Sequence, residues 1–174
     1  MTGTKESLEK YIKHINYDKR RRILDIPSNI TVVEEFPDGL FAIQIVKNGH
    51  IDKIPKLPNG LKELLLVDTN IRQLPTLPKT LKRLNIVGSN LKYLPELPDT
   101  LVELICSKNK LVRLPKLSEG VIHLECDSNK LTQLPFLPQS LKILYCEHNN
   151  LRRLPLLPQN LEQLFCLHNK MIEF

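Results

Sequence analysis

The chain has 174 residues, 41% of them apolar and 25% charged, with a formal net charge of +6. That length favours one domain with a substantial core, and the composition is that of an ordinary soluble protein. No apolar run approaches the ~20 residues of a membrane span, and the polar start, MTGTKESLEKYIKH, lacks the hydrophobic stretch of a signal peptide. The expectation is an intracellular protein with reduced cysteines and no membrane partner, with export by a route that needs no such signal left open.

The first element in chain order is a helix. Residues 4–15 place Leu8, Tyr11, Ile12 and Ile15 at i, i+3, i+4 and i+7, one apolar stripe. Thr4 is a suitable N-cap, acidic residues come early, and Lys19, Arg20, Arg21 and Arg22 follow late, as the helix dipole prefers. The reading is a helix capping the open end of the core that follows. The same basic run has the composition of a nuclear-import or phosphate-binding patch. Residues 23–29, ILDIPSN, read as a degenerate first strand and turn, so residues 1–29 form the cap and 30–174 the repeats of a single domain.

From Leu61 the chain repeats every twenty residues: LKELLLVDTNIRQLPTLPKT, LKRLNIVGSNLKYLPELPDT, LVELICSKNKLVRLPKLSEG, VIHLECDSNKLTQLPFLPQS, LKILYCEHNNLRRLPLLPQN, then the partial block LEQLFCLHNKMIEF. The shared pattern is L-x-x-L-x-[LIC]-x-x-[NST]-x-L-x-x-L-P-x-L-P-x-x. It continues backward as LFAIQIVKNGHIDKIPKLPNG from Leu40, with one extra residue, and as ITVVEEFPDG from Ile30. Repeats of this length and signature are leucine-rich repeats. Positions are counted below from one to twenty within each block.

The first half of each block alternates, which gives a short strand with one face inward. In the block at 101, Leu104 and Cys106 point in, and Glu103, Ile105 and Ser107 point out. The second half carries two prolines, as at Pro95 and Pro98, which exclude a long helix or a central strand and leave an extended, polyproline-like return. Stacked blocks make an α/β repeat solenoid: a right-handed arc of about seven turns, with a parallel sheet on a shallow concave face and leucines of both halves filling the core. At position nine, Asn109, Asn129, Asn149 and Asn169 are placed to hydrogen-bond backbone groups of their own and the neighbouring turn. Thr69 and Ser89 hold that position in the two earlier blocks, where a weaker ladder is expected.

Position six holds Cys106, Cys126, Cys146 and Cys166, where Leu66 and Ile86 stand earlier. Two C-x-H triplets result, at Cys146–His148 and Cys166–His168, and thiolates with imidazoles are zinc ligands. The period argues against a metal. Parallel strands about 4.8 Å apart put the four sulfurs in a line, and a line cannot supply a tetrahedron. Reduced core thiols are the reading, with no metal and no cofactor, and His148 and His168 fall on the rim. No Gly-rich phosphate loop, G-x-S-x-G or H-E-x-x-H motif is present, so an enzyme is not expected.

The outward positions of the sheet (two, three, five, seven and eight) carry six Lys or Arg against seven Asp or Glu. A phosphate-binding groove is concentrated and basic. This face is not, so nucleic acid is not an expected partner. Positions five and seven read Leu65 and Val67, Asn85 and Val87, Ile105 and Ser107, Glu125 and Asp127, Tyr145 and Glu147, Phe165 and Leu167. Apolar groups flank an acidic middle, and with Ile143 the aromatic end is a candidate contact patch for a protein partner; packing along the sheet is the alternative role for these side chains. Met171 and Phe174 replace return-half leucines, and the last strand, with Leu161, Leu164 and Cys166, is poorly covered. That predicts a homo-oligomer through the last two repeats, unless Phe174 folds over the final turn.

The L-P-x-L-P return with a helical N-terminal cap resembles the short bacterial leucine-rich repeats of secreted effectors. These are the Yersinia outer protein M type and the recognition domains of IpaH-type ubiquitin ligases. The stretch Leu144-Tyr145-Cys146-Glu147-His148-Asn149-Asn150-Leu151 is also similar to repeats of amoeba-infecting giant viruses. The resemblance covers residues 30–174 and implies a non-enzymatic scaffold that binds a partner protein, with ligase recognition fragment or self-assembling protein as alternatives. Three features depart from the type: Ser118 where a second Pro is expected, position nine without Asn in two blocks, and no catalytic domain of the ligase kind.

Overall fold

The computed structural model describes residues 16–18 and 20–172. The helix expected over residues 4–15 lies outside them, as does Phe174. Among the described residues, nine strands form one sheet in chain order. They are β1 (Asn16–Asp18), β2 (Ile23–Ile26), β3 (Ala42–Val46), β4 (Glu63–Val67), β5 (Arg83–Val87), β6 (Glu103–Ile105), β7 (His123–Glu125), β8 (Ile143–Tyr145) and β9 (Gln163–Phe165). All neighbours pair in parallel except β1, which runs antiparallel to β2. From β4 onward the register advances one block at a time, with Leu64 beside Leu84, Leu84 beside Leu104, and on to Leu164. Among the described residues there is no helix, so none is long and apolar enough to cross a membrane.

The edge before β2 is closed by a hairpin. Asp18 organises its turn: the carboxylate accepts the Arg20 and Arg21 N–H groups, and the carbonyl accepts that of Arg22. Arg20–Arg22 are therefore turn residues between β1 and β2. An antiparallel pairing here covers the unpaired groups that a parallel stack leaves at its end.

The core is one continuous column. Positions one, four, six and eleven are essentially sealed from Leu61 to Leu151, including Leu84, Ile86, Leu104, Cys106 and Leu124. Each return half ends in a turn in which the position-one N–H donates to the carbonyl three residues earlier, as in Leu81 to Pro78 (3.0 Å) and Leu101 to Pro98 (3.0 Å). Proline starts this turn with φ already set. Ser118 keeps the turn, with Val121 N–H donating to its carbonyl (3.2 Å), and its hydroxyl donates to Leu101 O (2.7 Å). The missing proline is thus replaced by a side-chain bond.

Position eight explains how the strand turns the corner. Lys47, Asp68, Gly88, Lys108, Ser128, His148 and His168 all have φ between 50° and 66°. Left-handed backbone costs a non-glycine residue roughly 1–2 kcal/mol. It recurs because the bend aims position nine inward. Asn109 shows the gain: its amide donates to Ile86 O of the preceding repeat (2.8 Å) and to Cys106 O and Ser107 O of its own turn, while its oxygen accepts Leu91 N–H. Asn129, Asn149 and Asn169 repeat the arrangement. Asn48 belongs to the ladder too, donating to Pro27 O and Ile30 O and accepting from His50 and Ile51 N–H.

A second ladder runs at position twenty. The Thr80, Thr100 and Ser140 hydroxyls each reach one carbonyl of the preceding repeat and the position-one carbonyl of their own, Thr100 those of Lys79 and Leu81, both at 2.8 Å. Both ladders satisfy backbone groups that a non-helical return would leave without partners.

Candidate interaction surface

Strand register lines up position five across the open face of the sheet: Leu65 beside Asn85, then Ile105, Glu125, Tyr145 and Phe165. Leu65, Val67, Asn85, Val87, Ile105, Glu125, Asp127, Ile143, Tyr145 and Glu147 are half-buried by their neighbours along this row. Phe165 (47%) and Leu167 (65%) are exposed, because no repeat covers their far side among the described residues. Ser107 departs from the expected outward exposure. It is buried, and its hydroxyl accepts the Asp127 N–H (3.1 Å), so a small polar side chain is absorbed into the inter-repeat bonding.

The aromatic end is ordered by ring contacts. Tyr145 meets Phe165 edge-on, centroids 4.7 Å apart at 74°, and its hydroxyl donates to Gln163 Oε1 (2.7 Å). His123 extends the group, edge-on to Tyr145 at 6.2 Å. Its Nε2 lies 2.9 Å from Glu125 Oε1 and its Nδ1 3.9 Å from Glu103 Oε2. The Nε2 contact is ion-pair close but is not aligned as a hydrogen bond. His123 therefore joins the acidic middle to the aromatic end. Sequence reasoning left it out because it sits at position three, two residues off the row. The signal was available in the sequence: Glu103 holds the same block position one repeat earlier, and Glu125 follows two residues later on the same face of β7.

The acidic middle is itself knitted into the backbone. Asp127 Oδ1 accepts the Glu147 N–H (2.7 Å), and burial, with Glu125 and Glu147 close by, raises its pKa against the lowering effect of that bond. Asn85 Oδ1 is buried with no partner among the described residues. It is an acceptor on the same row that remains open.

The four thiols are unpaired. Cys106, Cys126 and Cys146 are sealed in the core, and Cys166 is half-buried at the last repeat. Cys106 and Cys126 Sγ each lie 3.4 Å from the next repeat's carbonyl oxygen, at Glu125 and Tyr145. Burial pushes the Cys146 thiol up to about 12 and the other two further. Nucleophilic or metal-binding thiolate is strongly disfavoured at such positions. His148 and His168 stack on the rim, rings nearly parallel with centroids 4.3 Å apart. Among the described residues no group of three or more His, Cys, Asp or Glu is placed to hold a metal.

Two exposed apolar residues were not anticipated. Phe136 (91%) and Leu156 (92%) occupy position sixteen of adjacent repeats, on the return side. Their positions are held by Thr76, Glu96 and Lys116 in earlier blocks.

No protein-family model and no curated protein sequence matches the chain. Solved structures do. YopM from Yersinia enterocolitica WA-314 superposes with a TM-score of 0.77 at 29% identity, over 86% of this chain and 38% of that one. YopM from Yersinia pestis, described as a leucine-rich effector protein, gives 0.78 at 30% identity, over 89% and 44%. A Shigella effector leucine-rich-repeat domain gives 0.76 at 24% identity, over 95% and 75%, a likeness of fold alone. The chain spans about two-fifths of the length of the two YopM chains. The solenoid is of the bacterial-effector leucine-rich-repeat type, a fold that suits protein-interaction scaffolds.

Proposed function

We propose that the chain is a non-enzymatic scaffold, working inside a cell, that binds a partner protein through the concave face of its sheet. The aromatic end serves as the anchor. The observation that carries this reading is the continuous surface from Glu103 and Glu125 through His123 and Tyr145 to the exposed Phe165 and Leu167. Hot spots of protein interfaces combine aromatic anchors with a polar surround that excludes water. A partner that fits presents an apolar protrusion to Phe165 and Leu167 and a cation to the carboxylates beside His123. The test is capture of partners from host lysate by the chain and by the double variant Tyr145→Ala, Phe165→Glu. Retention of the same specific proteins by both would sink this reading. The control Lys116→Glu, on the return side, is expected to change nothing.

Self-association is a second reading, supported by the last repeat. Among the described residues β9 pairs only with β8, and Leu157, the counterpart of the buried Leu117 and Leu137, is exposed together with Leu164 and Phe165. A two-fold contact of this patch would close it. Light scattering across a dilution series checks it, since a constant mass near 20.1 kDa at high micromolar concentration rules it out.

A further inference from the structure

A different surface carries the net charge. Positions ten, twelve and thirteen of successive repeats are drawn onto one flank by a row of backbone bonds, in which the position-ten N–H donates to the position-eleven carbonyl of the preceding repeat. Asn90 to Ile71 (3.2 Å), Lys110 to Leu91 (2.8 Å) and Lys130 to Leu111 (2.8 Å) are examples. Over the five blocks from residue 70 to residue 153, these positions hold seven Lys or Arg and no Asp or Glu. All seven are exposed, and none is ion-paired with a described residue. The other edge of the sheet behaves differently: Arg83 pairs with Glu63 and Lys142 with Glu162.

Towards the N-terminal end of this flank a groove of about 760 Å³ opens between Arg72, Lys92 and Lys110, with Tyr93 on its wall and the half-buried Leu74 and Leu94 at its base. Tyr93 is exposed, and the Arg113 guanidinium sits 5.8 Å over its ring. Five repeats spaced by about 4.8 Å put the first and last about 19 Å apart. Seven cations over that length make a dense row, and a nucleic-acid strand answers it with a negative charge on every nucleotide. An acidic peptide, at about 3.3–3.6 Å per residue, reaches that density only when nearly every residue is acidic. It also brings no flat group for an exposed ring flanked by a guanidinium, which is a stacking platform for bases.

We infer that this flank binds single-stranded nucleic acid. The strand crosses the repeats with its phosphates along the Lys and Arg row and a base against Tyr93. The near-neutral sheet face, from which nucleic acid was not expected, is not part of this surface.

The test titrates a fluorescein-labelled, mixed-sequence single-stranded RNA of about 20 nucleotides with the full chain, read by anisotropy at 50 and 200 mM KCl. Four neutralised phosphates give a slope of about −2.8 and a loss of roughly fifty-fold in affinity across that range. The triple variant Arg72→Glu, Lys92→Glu, Lys110→Glu is expected to abolish binding. Lys56→Glu, Lys79→Glu, Lys82→Glu, the same change of charge at exposed positions off the flank, is expected to stay within about threefold of wild type. Tyr93→Ala, which leaves every cation in place, is expected to weaken binding at least about fivefold by loss of stacking. Three outcomes overturn the inference: no binding at 50 mM salt, equal losses in the two triple variants, or displacement of the RNA by an equal concentration of a poly-glutamate peptide. The last would make an acidic protein segment the occupant. If a triple variant loses its far-UV circular dichroism, the salt titration and Tyr93→Ala decide.

Discussion

Repeats from residue 101 onward close each strand-to-return corner with an inward-turned amide, whereas the repeats at 61 and 81 close it with hydroxyls. In the first group, the Asn amide takes the carbonyls of positions six and seven of its own turn, as Asn109 takes those of Cys106 and Ser107. The regular strand then stops at position five, and β6 to β9 are three residues long. In the second group, Thr69 and Ser89 bond each other (2.7 Å), Ile86 O receives the Asn109 amide of the next repeat instead of one from its own turn, and β4 and β5 run for five residues. Asn48 fits the same account. Its amide donates to Pro27 and Ile30 instead of its own turn, and β3 also keeps five residues. One fold thus trades strand length against side-chain bonding at the corner, repeat by repeat.

The largest break in this comparison is Asn129→Ala. It leaves the buried Leu111 N–H without its acceptor and removes one of the two amide donors at each of Cys106 O and Cys126 O, which keep Asn109 and Asn149. At about 1–3 kcal/mol for the one buried N–H left unpaired and about 0.5–1.5 kcal/mol for each carbonyl bond lost, a loss of at least about 2 kcal/mol is expected in urea unfolding. A loss below about 1 kcal/mol would show that water or a shifted backbone replaces the amide, and that the ladder adds little.

Position six gives the next largest effect. It is Leu66 and Ile86 in the hydroxyl repeats and Cys in the amide repeats, all fully buried up to Cys146. Cys126→Ala removes one sulfur from the sealed core and is expected to cost roughly 1–2 kcal/mol, a small-cavity cost. The comparison also includes metal analysis of protein purified without added zinc. Near-stoichiometric zinc that disappears in Cys146→Ala would contradict a packing role.

Thr69→Val tests the hydroxyl corner. It keeps the shape and leaves the Ser89 hydroxyl without its partner. A cost of about 1 kcal/mol is expected, clearly below that of Asn129→Ala. Equal costs at the two positions would erase the distinction between the regions.

The sequence made these two regions visible because the twenty-residue period aligns chemically similar residues. Asn at position nine and Cys at position six repeat as letters, so their common role could be read directly. Position eight could not be read that way. Lys, Asp, Gly, Ser and His share a left-handed backbone there, and only Gly88 carries a conformational signal of its own. The position-twenty ladder was equally quiet, because Thr100 and Ser140 are ordinary turn residues until the preceding repeat's carbonyls, at Lys79 and Glu119, are in place. The basic excess of the return halves was legible as composition. Its concentration on one flank depends on positions ten, twelve and thirteen meeting across repeats, which no single block shows. For the candidate sheet site, the row of position-five residues followed from alternation, while the bridging role of His123 needed the register between β6 and β7.

Position seven also separates the regions, and it yields the smallest effect. It is Val67 and Val87 beside the hydroxyl corners, and Ser107, Asp127 and Glu147 beside the three buried amides, with Leu167 beside the half-buried Asn169 at the end. The Asp127 carboxylate is held partly out of water, next to Glu125 and Glu147, and its pKa is raised above the ordinary 3.8, burial being the main cause. A carboxyl that is harder to ionise in the folded chain than in the unfolded one costs stability when charged. That cost is complete above the raised folded value, fades as pH falls through it, and is gone below the unfolded value. Asp127→Asn keeps an oxygen to accept the Glu147 N–H and removes the charge. At pH 7 it is expected to stabilise the chain by no more than about 0.5 kcal/mol, the scale of a surface substitution, visible as a small rise in melting temperature. At pH 3, where the wild-type carboxyl is protonated in both states, the two proteins should melt together. A gain that persists unchanged at pH 3 would mean that it comes from packing and not from the buried charge, and a loss at pH 7 would mean that the ionised carboxylate stabilises the corner.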